Sequence, residues 1–484
     1  MRLSKWIKED DNSAVKAAFY YVICQILVKG MSFITTPIFS RIMTKAQYGD
    51  VSNFISWEGL IFPIITLNLR ASINKSKYDY SNDNDNFFSS VLIATLSLIA
   101  IASLLVELNP SLFEDFFSMP MKYVRMLFIY LAFMTAFDFQ QIQYNIYRKY
   151  KKSVVYSLGS VFFNLVLSIV LVLILPDKLL GRLIGIVVPC GVIGLFIYIN
   201  AFRRGPHPKI RYMKNALSMT IPLLVSALSA TILNTSDRVM IKRLSGSEDT
   251  AMYSIAYSVA GLAAVVFSAL NQAWGPWMFD HMKTEEFDSI KNRAKQFSGI
   301  YALLMLGLML ISPEIIIIMG GKQYYEARFV MPPVILAMIC QYFYSFYFDT
   351  EYFYGETYII SLGTFIAAAI NVGLNFIFIP KYGYIAAAYT TLIGYFIMLV
   401  YHFSIVKFKL KKDFLFPTKW FAIVIIVLSL LQLGIAMIFD LRIIRYAVIV
   451  LYMIIVCLIG IKYNIPQIVL SRIKSKPSAK QADV

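Results

Sequence analysis

Residues 358–405 read YIISLGTFIAAAINVGLNFIFIPKYGYIAAAYTTLIGYFIMLVYHFSI, and this stretch decides the fold. Two apolar blocks, 358–379 and 383–405, flank the short polar break Pro380-Lys381-Tyr382-Gly383. About twenty consecutive apolar residues form a helix long enough to cross the ~30 Å hydrocarbon core of a bilayer. Proline and glycine commonly follow the last turn of a helix. The stretch therefore predicts two consecutive membrane-spanning helices joined by a tight turn.

Blocks of the same kind recur from one end of the chain to the other, and they predict fourteen spans. An even number of spans places both termini on the same side of the membrane. The predicted spans are 16–40, 50–69, 87–106, 123–145, 154–175, 181–201, 216–236, 251–274, 297–318, 328–348, 358–379, 383–405, 418–439 and 443–461. The fold class expected from this pattern is an all-α polytopic membrane protein.

The composition agrees with a chain that lies mostly in lipid. Of 484 residues, 58% are apolar and 15% are charged, whereas about a quarter of an ordinary soluble domain is charged. This excludes a soluble enzyme, a disordered protein and a secreted disulfide scaffold. The four cysteines lie inside apolar blocks, without a Cys-x-x-Cys pair or a histidine cluster, so we expect packing residues and no metal site. The short loops leave no room for a catalytic or nucleotide-binding domain, and no cofactor or catalytic residue is predicted.

The positions of the basic residues set the predicted orientation. The net charge is +17, and the loops on the side of the N-terminus carry about twice as many Lys and Arg residues as the loops opposite. Cytoplasmic loops of membrane proteins carry such an excess. The sequence therefore predicts cytoplasmic N- and C-termini. It also predicts that the basic charge faces an anionic lipid bilayer, with no nucleic-acid partner.

The chain resembles itself at an offset of about 200 residues, which predicts an internal repeat. Ser-Leu-Gly at 157–159 opens a span that ends at Pro176, and Ser-Leu-Gly at 361–363 opens a span that ends at Pro380. The ends of the first and seventh spans match as well, Ser40-Arg41-Ile42-Met43 against Asp237-Arg238-Val239-Met240. Because the repeat unit contains six spans, both halves insert with the same topology. Parallel repeats are typical of transporters whose substrate path lies between the halves.

The repeat predicts two six-helix lobes in parallel repeat, followed by an appended C-terminal helix pair. The predicted segments are an interfacial N-terminal segment 1–15, an N-lobe 16–205, a C-lobe 206–410, the appended pair 411–463 and a disordered cytoplasmic tail 464–484.

Several of these stretches resemble a known family. The stretches are Tyr21–Tyr48 (YVICQILVKGMSFITTPIFSRIMTKAQY), Ser218–Ile241 (SMTIPLLVSALSATILNTSDRVMI), Ile311–Ala327 and Asn371–Ala387. They resemble bacterial polysaccharide flippases of the multidrug/oligosaccharidyl-lipid/polysaccharide exporter superfamily, which include O-antigen and capsule repeat-unit flippases of the Wzx type. The resemblance covers nearly the whole chain, although its motifs are hydrophobic patterns rather than catalytic signatures.

The resemblance implies two lobes around an alternating-access cavity, and a function in transport rather than catalysis. The implied cargo is an undecaprenyl-diphosphate-linked oligosaccharide, moved from the inner to the outer leaflet of the bacterial inner membrane. The expected partners are this lipid-linked substrate, together with a polysaccharide polymerase and the chain-length machinery. Three alternatives stay open: a lipid II flippase, which fourteen spans fit better than twelve, a multidrug cation antiporter of the same superfamily, and a membrane-embedded polysaccharide polymerase.

Cations at membrane depth are the first candidate site residues, because a buried charge usually faces a cavity or a partner. Lys29 lies near the middle of the first span, where an ammonium group would hold a diphosphate or else pair with a carboxylate for structure. Arg70, Arg238 and Lys242 lie at span ends. They either anchor the helices at the interface or line a cationic mouth for the substrate.

Acidic residues form the second group of candidates. Asp138 and Glu58 lie inside predicted spans, where they either bind a coupling ion, pair with Lys29, contact sugar hydroxyls or join helices. Charged residues at span ends are predicted to form two gates. The outer gate contains Arg41 and Asp237, and the inner gate contains Asp349 and Glu351.

The predicted topology can be tested by labelling single cysteines in intact cells. Cysteines at Asp177 and Ser247 should react with an impermeant reagent added outside, because both positions lie in predicted outer loops. Cysteines at Lys209 and Lys411 should react only after the membrane is permeabilised. Labelling of Lys209→Cys in intact cells would contradict the orientation and the repeat.

Overall fold

The structure is a computed structural model that describes residues 33–462. Within that range it contains helices and no strand. The helices are α1 (33–42), α2 (Lys45–Ile65), α3 (Arg70–Asp79), α4 (Asn84–Glu107), α5 (Pro110–Phe117), α6 (Met121–Ile146), α7 (Tyr150–Ile174), α8 (Lys178–Arg204), α9 (Ile210–Leu244), α10 (Ser247–Lys283), α11 (Phe287–Gly320), α12 (Met331–Phe353), α13 (Thr357–Ser404), α14 (Thr418–Ile438) and α15 (Arg442–Lys462). The predicted all-α fold class is confirmed.

The helix that contains the opening stretch reverses direction at one glycine. Gly383 has φ 61° and ψ −154°, a conformation that glycine adopts without a steric penalty. Past this residue α13 returns along itself, since Tyr401 donates a hydrogen bond to the carbonyl oxygen of Ile359 at 3.1 Å. Thr390 likewise bonds to Asn375 across the two arms. The two spans predicted from residues 358–405 are therefore the antiparallel arms of α13.

The number of spans is only partly visible in the described residues. Ten helices there are long and apolar enough to cross a membrane, and α5 and α6 together form an eleventh that is bent by 78°. In this count α13 is one helix, although its two arms run antiparallel. Most of the first predicted span lies outside the described residues, so fourteen stays a prediction.

The buried apolar side chains form two separate cores. The first core runs from Phe39 on α1 to Ala216 at the start of α9. The second runs from Leu233 on α9 to Phe439, at the end of α14. We call the helices around these cores the first and second lobes. Helix α9 passes from one lobe to the other, and the appended α14 packs on the second lobe.

The start of α9 is tied to the first lobe by polar contacts at Asp83, in the turn between α3 and α4. The Asp83 carboxylate accepts hydrogen bonds from Lys209 and from Tyr212, each at 2.5 Å. The hydrogen bond from Lys209 and the one from Tyr212 lower the pKa of this carboxyl to about 2, because both favour its charged form. The connection between the lobes is therefore fixed at one end.

Two ion pairs join the appended helices to the second lobe. Arg328 is only 4% exposed and donates two hydrogen bonds of 3.0 Å to the Asp440 carboxylate, in the turn between α14 and α15. Arg445 on α15 pairs with Glu314 on α11. The arginine of each pair is buried and would be left without charge compensation if its partner moved away, so the appended helices are held in one position on the lobe.

Helices α7 and α8 pack closely because α8 presents glycines four residues apart. A Cβ atom at Gly181 would lie 2.8 Å from the carbonyl carbon of Leu171, and one at Gly185 would lie 2.5 Å from the Cα of Ser168. Small residues at this spacing let two helix backbones approach within a membrane, where no hydrophobic force drives helices together.

Gly185→Ala should therefore destabilise the protein by about 1–3 kcal/mol, the usual cost of overpacking. Gly159→Ala is the matched control on α7, because a Cβ there meets no atom within 4 Å. The midpoint of thermal unfolding of the purified protein in detergent measures both effects. An equal midpoint for the two variants would contradict the close approach of α7 and α8.

Candidate functional site

The two lobes meet at one end of the molecule through backbone and side-chain hydrogen bonds. Ser40 on α1 donates to the carbonyl oxygen of Met319 at 2.7 Å, and the Arg41 guanidinium donates to that of Ile318 at 2.8 Å. Gln323, just after α11, donates to the carbonyl oxygen of Ser40 at 2.8 Å. We call this set of contacts, together with those of Asp50 and Asp115 described next, the closed end. It includes Arg41, which the sequence predicted as a gate residue.

Asp50 on α2 is the main acceptor of the closed end. Lys242 from α9 lies 2.5 Å from its carboxylate, and the Ser247 hydroxyl donates to the same oxygen at 2.8 Å. The adjacent Gly49 leaves no space between the lobes, since a Cβ there would lie 1.8 Å from the carbonyl oxygen of Ser247. The structure thus places Lys242, which was predicted to contact substrate, in an ion pair between the lobes.

A second ion pair crosses the closed end at its solvent-exposed rim. Arg243 on α9 lies 3.0 Å from Asp115 on the short helix α5. The carbonyl oxygen of Phe117, at the end of α5, accepts hydrogen bonds from Asn53 at 3.0 Å and from Trp57 at 2.9 Å. Helix α5 is therefore attached to α2 of its own lobe and to α9 of the other.

Two arginines, one from each lobe, lie near Tyr48. Arg182 on α8 stacks over the Phe39 ring at 4.2 Å, and Arg238 on α9 stacks over the Tyr257 ring at 4.5 Å. Both charges act on the Tyr48 hydroxyl. We call Arg182 and Arg238 the arginine pair. It places two cations at the junction of the lobes, next to the closed end.

Arg182 is the residue of this pair that sequence reasoning missed. It follows Gly181 at the predicted start of a span, where a basic residue normally marks the interface. In the structure α8 begins at Lys178, four residues before Arg182, so Arg182 lies a full turn inside the helix. Its guanidinium donates to Asn164 at 2.8 Å and to Ser168 at 2.5 Å. A charge between the two glycines that pack against α7 was the signal that could have identified it.

The neighbour of Arg238, Asp237, lies inside the second lobe. Its side chain is 2% exposed and accepts hydrogen bonds from Tyr253 at 2.6 Å, from Thr391 at 2.6 Å and from Asn375 at 2.7 Å. These donors come from α10 and from both arms of α13. The carboxylate, predicted as a gate residue, is thus held by neutral groups where α9, α10 and α13 meet.

Asp138, one of the two candidate acids of the first lobe, lies close to a cation. Arg70 at the start of α3 lies 3.5 Å from Asp138 on α6, and Glu58 on α2 is close enough to feel the charge of Asp138. Arg70 and Asp138, predicted for substrate and ion binding, therefore neutralise one another in part. Lys29 lies outside the described residues, and its role stays a prediction.

The acids predicted as an inner gate lie at the opposite end from the closed end, inside the second lobe. Glu351 on α12 contacts His402 on α13 at 2.9 Å, and Glu356 pairs with Lys409 at 2.6 Å. Asp349, also on α12, is buried in the same lobe. In the described conformation these partners all belong to one lobe, and a gating role stays a prediction.

Comparison with known proteins identifies the family. Residues 14–282, more than half of the chain, match the family described as "Polysaccharide biosynthesis protein". The chain belongs to this family. "Lsg locus putative protein 1" of Haemophilus influenzae (strain ATCC 51907 / DSM 11121 / KW20 / Rd) is 20% identical over 393 residues, which cover 77% of this chain and 94% of the relative.

Solved structures share the fold at low identity. "Lipid II flippase MurJ, inward closed conformation" superposes with a TM-score of 0.70 and 14% identity, covering 92% of this chain and 99% of that one. A MOP superfamily transporter from Pyrococcus furiosus Vc1 (DSM3638) gives a TM-score of 0.54 and 16% identity, covering 86% and 96%. The chain therefore shares the fold of these proteins, and the family match agrees with the predicted resemblance to polysaccharide exporters.

The closed end can be tested by crosslinking Asp50→Cys to Ser247→Cys in a variant whose native cysteines are replaced. The two side chains touch across the lobes, so a short bifunctional reagent should join them. A protease site inserted between residues 205 and 209 separates the two positions in the sequence. After cleavage, a crosslink keeps the two fragments together on a denaturing gel. Asp50→Cys with Lys209→Cys is the control pair. A yield no higher than that of the control would contradict the closed end.

Proposed function

We propose that this protein is a flippase for undecaprenyl-diphosphate-linked oligosaccharide repeat units. It moves them across the bacterial inner membrane for the synthesis of a surface polysaccharide such as O-antigen or capsule. The observation that carries the proposal is the arginine pair, because it brings one cation from each lobe to the junction between them. The family match to polysaccharide biosynthesis proteins supports the cargo class.

A diphosphate loses most of its hydration when it leaves the membrane surface, and buried charges without partners are costly. Guanidinium groups offset this cost well, because their planar array of donors matches phosphate oxygens and stays charged at any physiological pH. Arg182 and Arg238 move with different lobes. A change in the angle between the lobes therefore changes their spacing, which lets them hold the diphosphate in one conformation and release it in the other.

The proposed transport cycle is alternating access. The closed end contains the turn between α1 and α2, which the charge distribution assigns to the outer side. The described conformation is then sealed toward the outside, and substrate enters from the inner leaflet. Lys29, in the predicted first span, would add a third cation along this path.

An ion gradient is proposed to drive the cycle, and two carboxylate sites are candidates for the coupling ion. In the first lobe, Asp138 and Glu58 lie together, with the charge of Asp138 partly offset by Arg70. In the second lobe, the hydrogen bonds to Asp237 come from neutral groups. Asp237 is the more deeply buried of the two carboxylates, and Arg238 acts on it electrostatically rather than through a hydrogen bond, so we favour that residue over the sequence-based candidate Asp138.

The fold likeness to a lipid II flippase, which covers 99% of that chain, favours lipid II as the second candidate cargo. It too would present a diphosphate to the arginine pair. A multidrug cation antiporter fits less well, because a cationic drug would be repelled by two arginines at the junction. A polymerase would need an outer catalytic loop that the sequence lacks.

The arginine pair is tested by Arg182→Gln and Arg238→Gln, measured as flipping of labelled lipid-linked oligosaccharide by proteoliposomes. Each variant should bind and flip the substrate about tenfold to a hundredfold less well, since a charge-assisted hydrogen bond contributes about 1.5–3 kcal/mol. Arg→Lys at each position should keep part of the activity, because the charge survives while the planar donor array is lost.

Arg243→Gln is the matched control, because Arg243 lies on the same helix as Arg238 but pairs with Asp115 at the exposed rim. This variant should flip the substrate nearly normally.

Lys29→Gln should behave like the variants of the arginine pair, and Lys29→Arg should retain function. Normal flipping by the double variant Arg182→Gln/Arg238→Gln at equal abundance would refute the proposal, and lipid II in the same assay separates the two cargoes.

A further inference from the structure

A histidine and a glutamate form a buried pair in the second lobe that the transport mechanism above does not use. Nδ1 of His402, on the second arm of α13, lies 2.9 Å from a carboxylate oxygen of Glu351 on α12. Both side chains are 0% exposed. The other polar atom of each, Nε2 of His402 and Oε1 of Glu351, is buried without a hydrogen-bond partner. Within the described residues, each group therefore relies on the other as its hydrogen-bond partner.

The surroundings of the pair are aromatic on two sides. The Tyr344 ring lies nearly parallel to the imidazole at 5.4 Å, and the Phe348 ring meets it edge-on at 6.2 Å. On the first arm of α13 the ring faces Gly363, where a Cβ would lie 3.3 Å from Nε2. Gly363 has no side chain that could supply the missing partner.

The charged and titratable groups around the pair come from both helices and from their ends. Asp349 and Tyr344 lie on α12, and Tyr401 lies next to His402 on α13. Beyond the helix ends, Glu356 and Lys409 act on Glu351 but bond to each other at 2.6 Å. Because that outer pair is internally neutral, it leaves the charge of Glu351 to be balanced by His402.

The number of protons on the pair decides its net charge. With no added proton the pair is a carboxylate beside a neutral imidazole, which leaves one negative charge in apolar surroundings. With two protons it carries one positive charge. With one it is neutral overall, and this state costs least, because a buried charge without compensation is strongly destabilising. The packing of α12 against α13 therefore favours one bound proton.

We propose that His402 and Glu351 form a proton-binding site whose occupancy is linked to the packing of α12 against α13. The proton enters from water on the inner side, because Glu351 lies two residues before the end of α12. It is held between Nδ1 and the carboxylate, and it returns to water when the helices separate. No other bond is made or broken. The site does not depend on the identity of the cargo.

The sign of the linkage follows from the ordinary pKa values of the separated groups. In water a free glutamate titrates near pH 4.3 and a free histidine near 6.5. Above about pH 6.5 the separated groups hold no proton, so forming the neutral packed pair requires the uptake of one, and rising pH weakens the packing. Below about pH 4.3 the separated groups hold two, so falling pH weakens it as well. The packing should be most stable between these values.

Solid-state ¹⁵N NMR of histidine-labelled protein measures the site directly. The chain has three histidines, and His207→Gln/His281→Gln leaves only His402. At about pH 8, where a free histidine is neutral, both ring nitrogens of His402 should carry a proton, and Glu351→Gln should return the ring to the neutral form. A neutral ring beside an ionised carboxylate at that pH would overturn the proposal. Because this measurement uses no cargo, its result is independent of whether the protein flips lipid-linked sugars.

The linkage to packing is measured by thermal unfolding of the purified protein between about pH 5 and 9, a range that brackets the ordinary histidine pKa. The midpoint of the wild-type protein should fall above about pH 6.5, and His402→Gln/Glu351→Gln should lose this dependence. His281→Gln/Glu286→Gln is the matched control, because that pair lies 3.6 Å apart on the partly exposed surface. It should keep the wild-type dependence. Equal dependence in all three proteins would overturn the proposal.

Discussion

The absence of hydrogen-bonding water in the bilayer is the constraint on which the rest of this structure depends. Every backbone polar group inside lipid has to be paired within the chain, and a helix pairs all of its own. The same constraint applies to side chains, which accounts for the buried charges and their partners. Arg328 has Asp440, Arg445 has Glu314, and Glu351 has His402. Each pair joins segments that are distant in the chain, so the need to neutralise charge also fixes how the helices are arranged.

The sequence predicted the helices well because lipid imposes a length and a composition on every span. The break at Pro380-Lys381-Tyr382-Gly383 was enough to predict the two arms of α13. The sequence could not predict partners that are distant in the chain. Asp50 and Lys242 are 192 residues apart, and nothing local to either shows that they meet. Arg182 was missed for a related reason, because the start of α8 lies one turn before the apolar block begins.

The contacts within each lobe are stronger than the contacts between the two lobes. Each lobe has its own apolar core, whose burial accounts for most of the stability of a folded unit. The closed end relies on polar contacts, among them the exposed pair Arg243–Asp115. Exposed ion pairs contribute about 0–1 kcal/mol each. Opening the closed end therefore costs much less than unfolding either lobe, which is the energetic requirement for lobes that move as rigid bodies.

Asp237 and Arg238 connect this interface to the interior of the second lobe. They are consecutive on α9, yet Asp237 is bonded to α10 and α13 while the charge of Arg238 acts on Tyr48 of the first lobe. The two residues are adjacent, and little water screens their charges. A change in the charge of Asp237 therefore acts strongly on Arg238. In the proposed mechanism, an ion that binds at Asp237 would therefore alter how firmly Arg238 holds the anionic cargo. Two adjacent residues can couple the ion to the cargo without any further contact between the lobes.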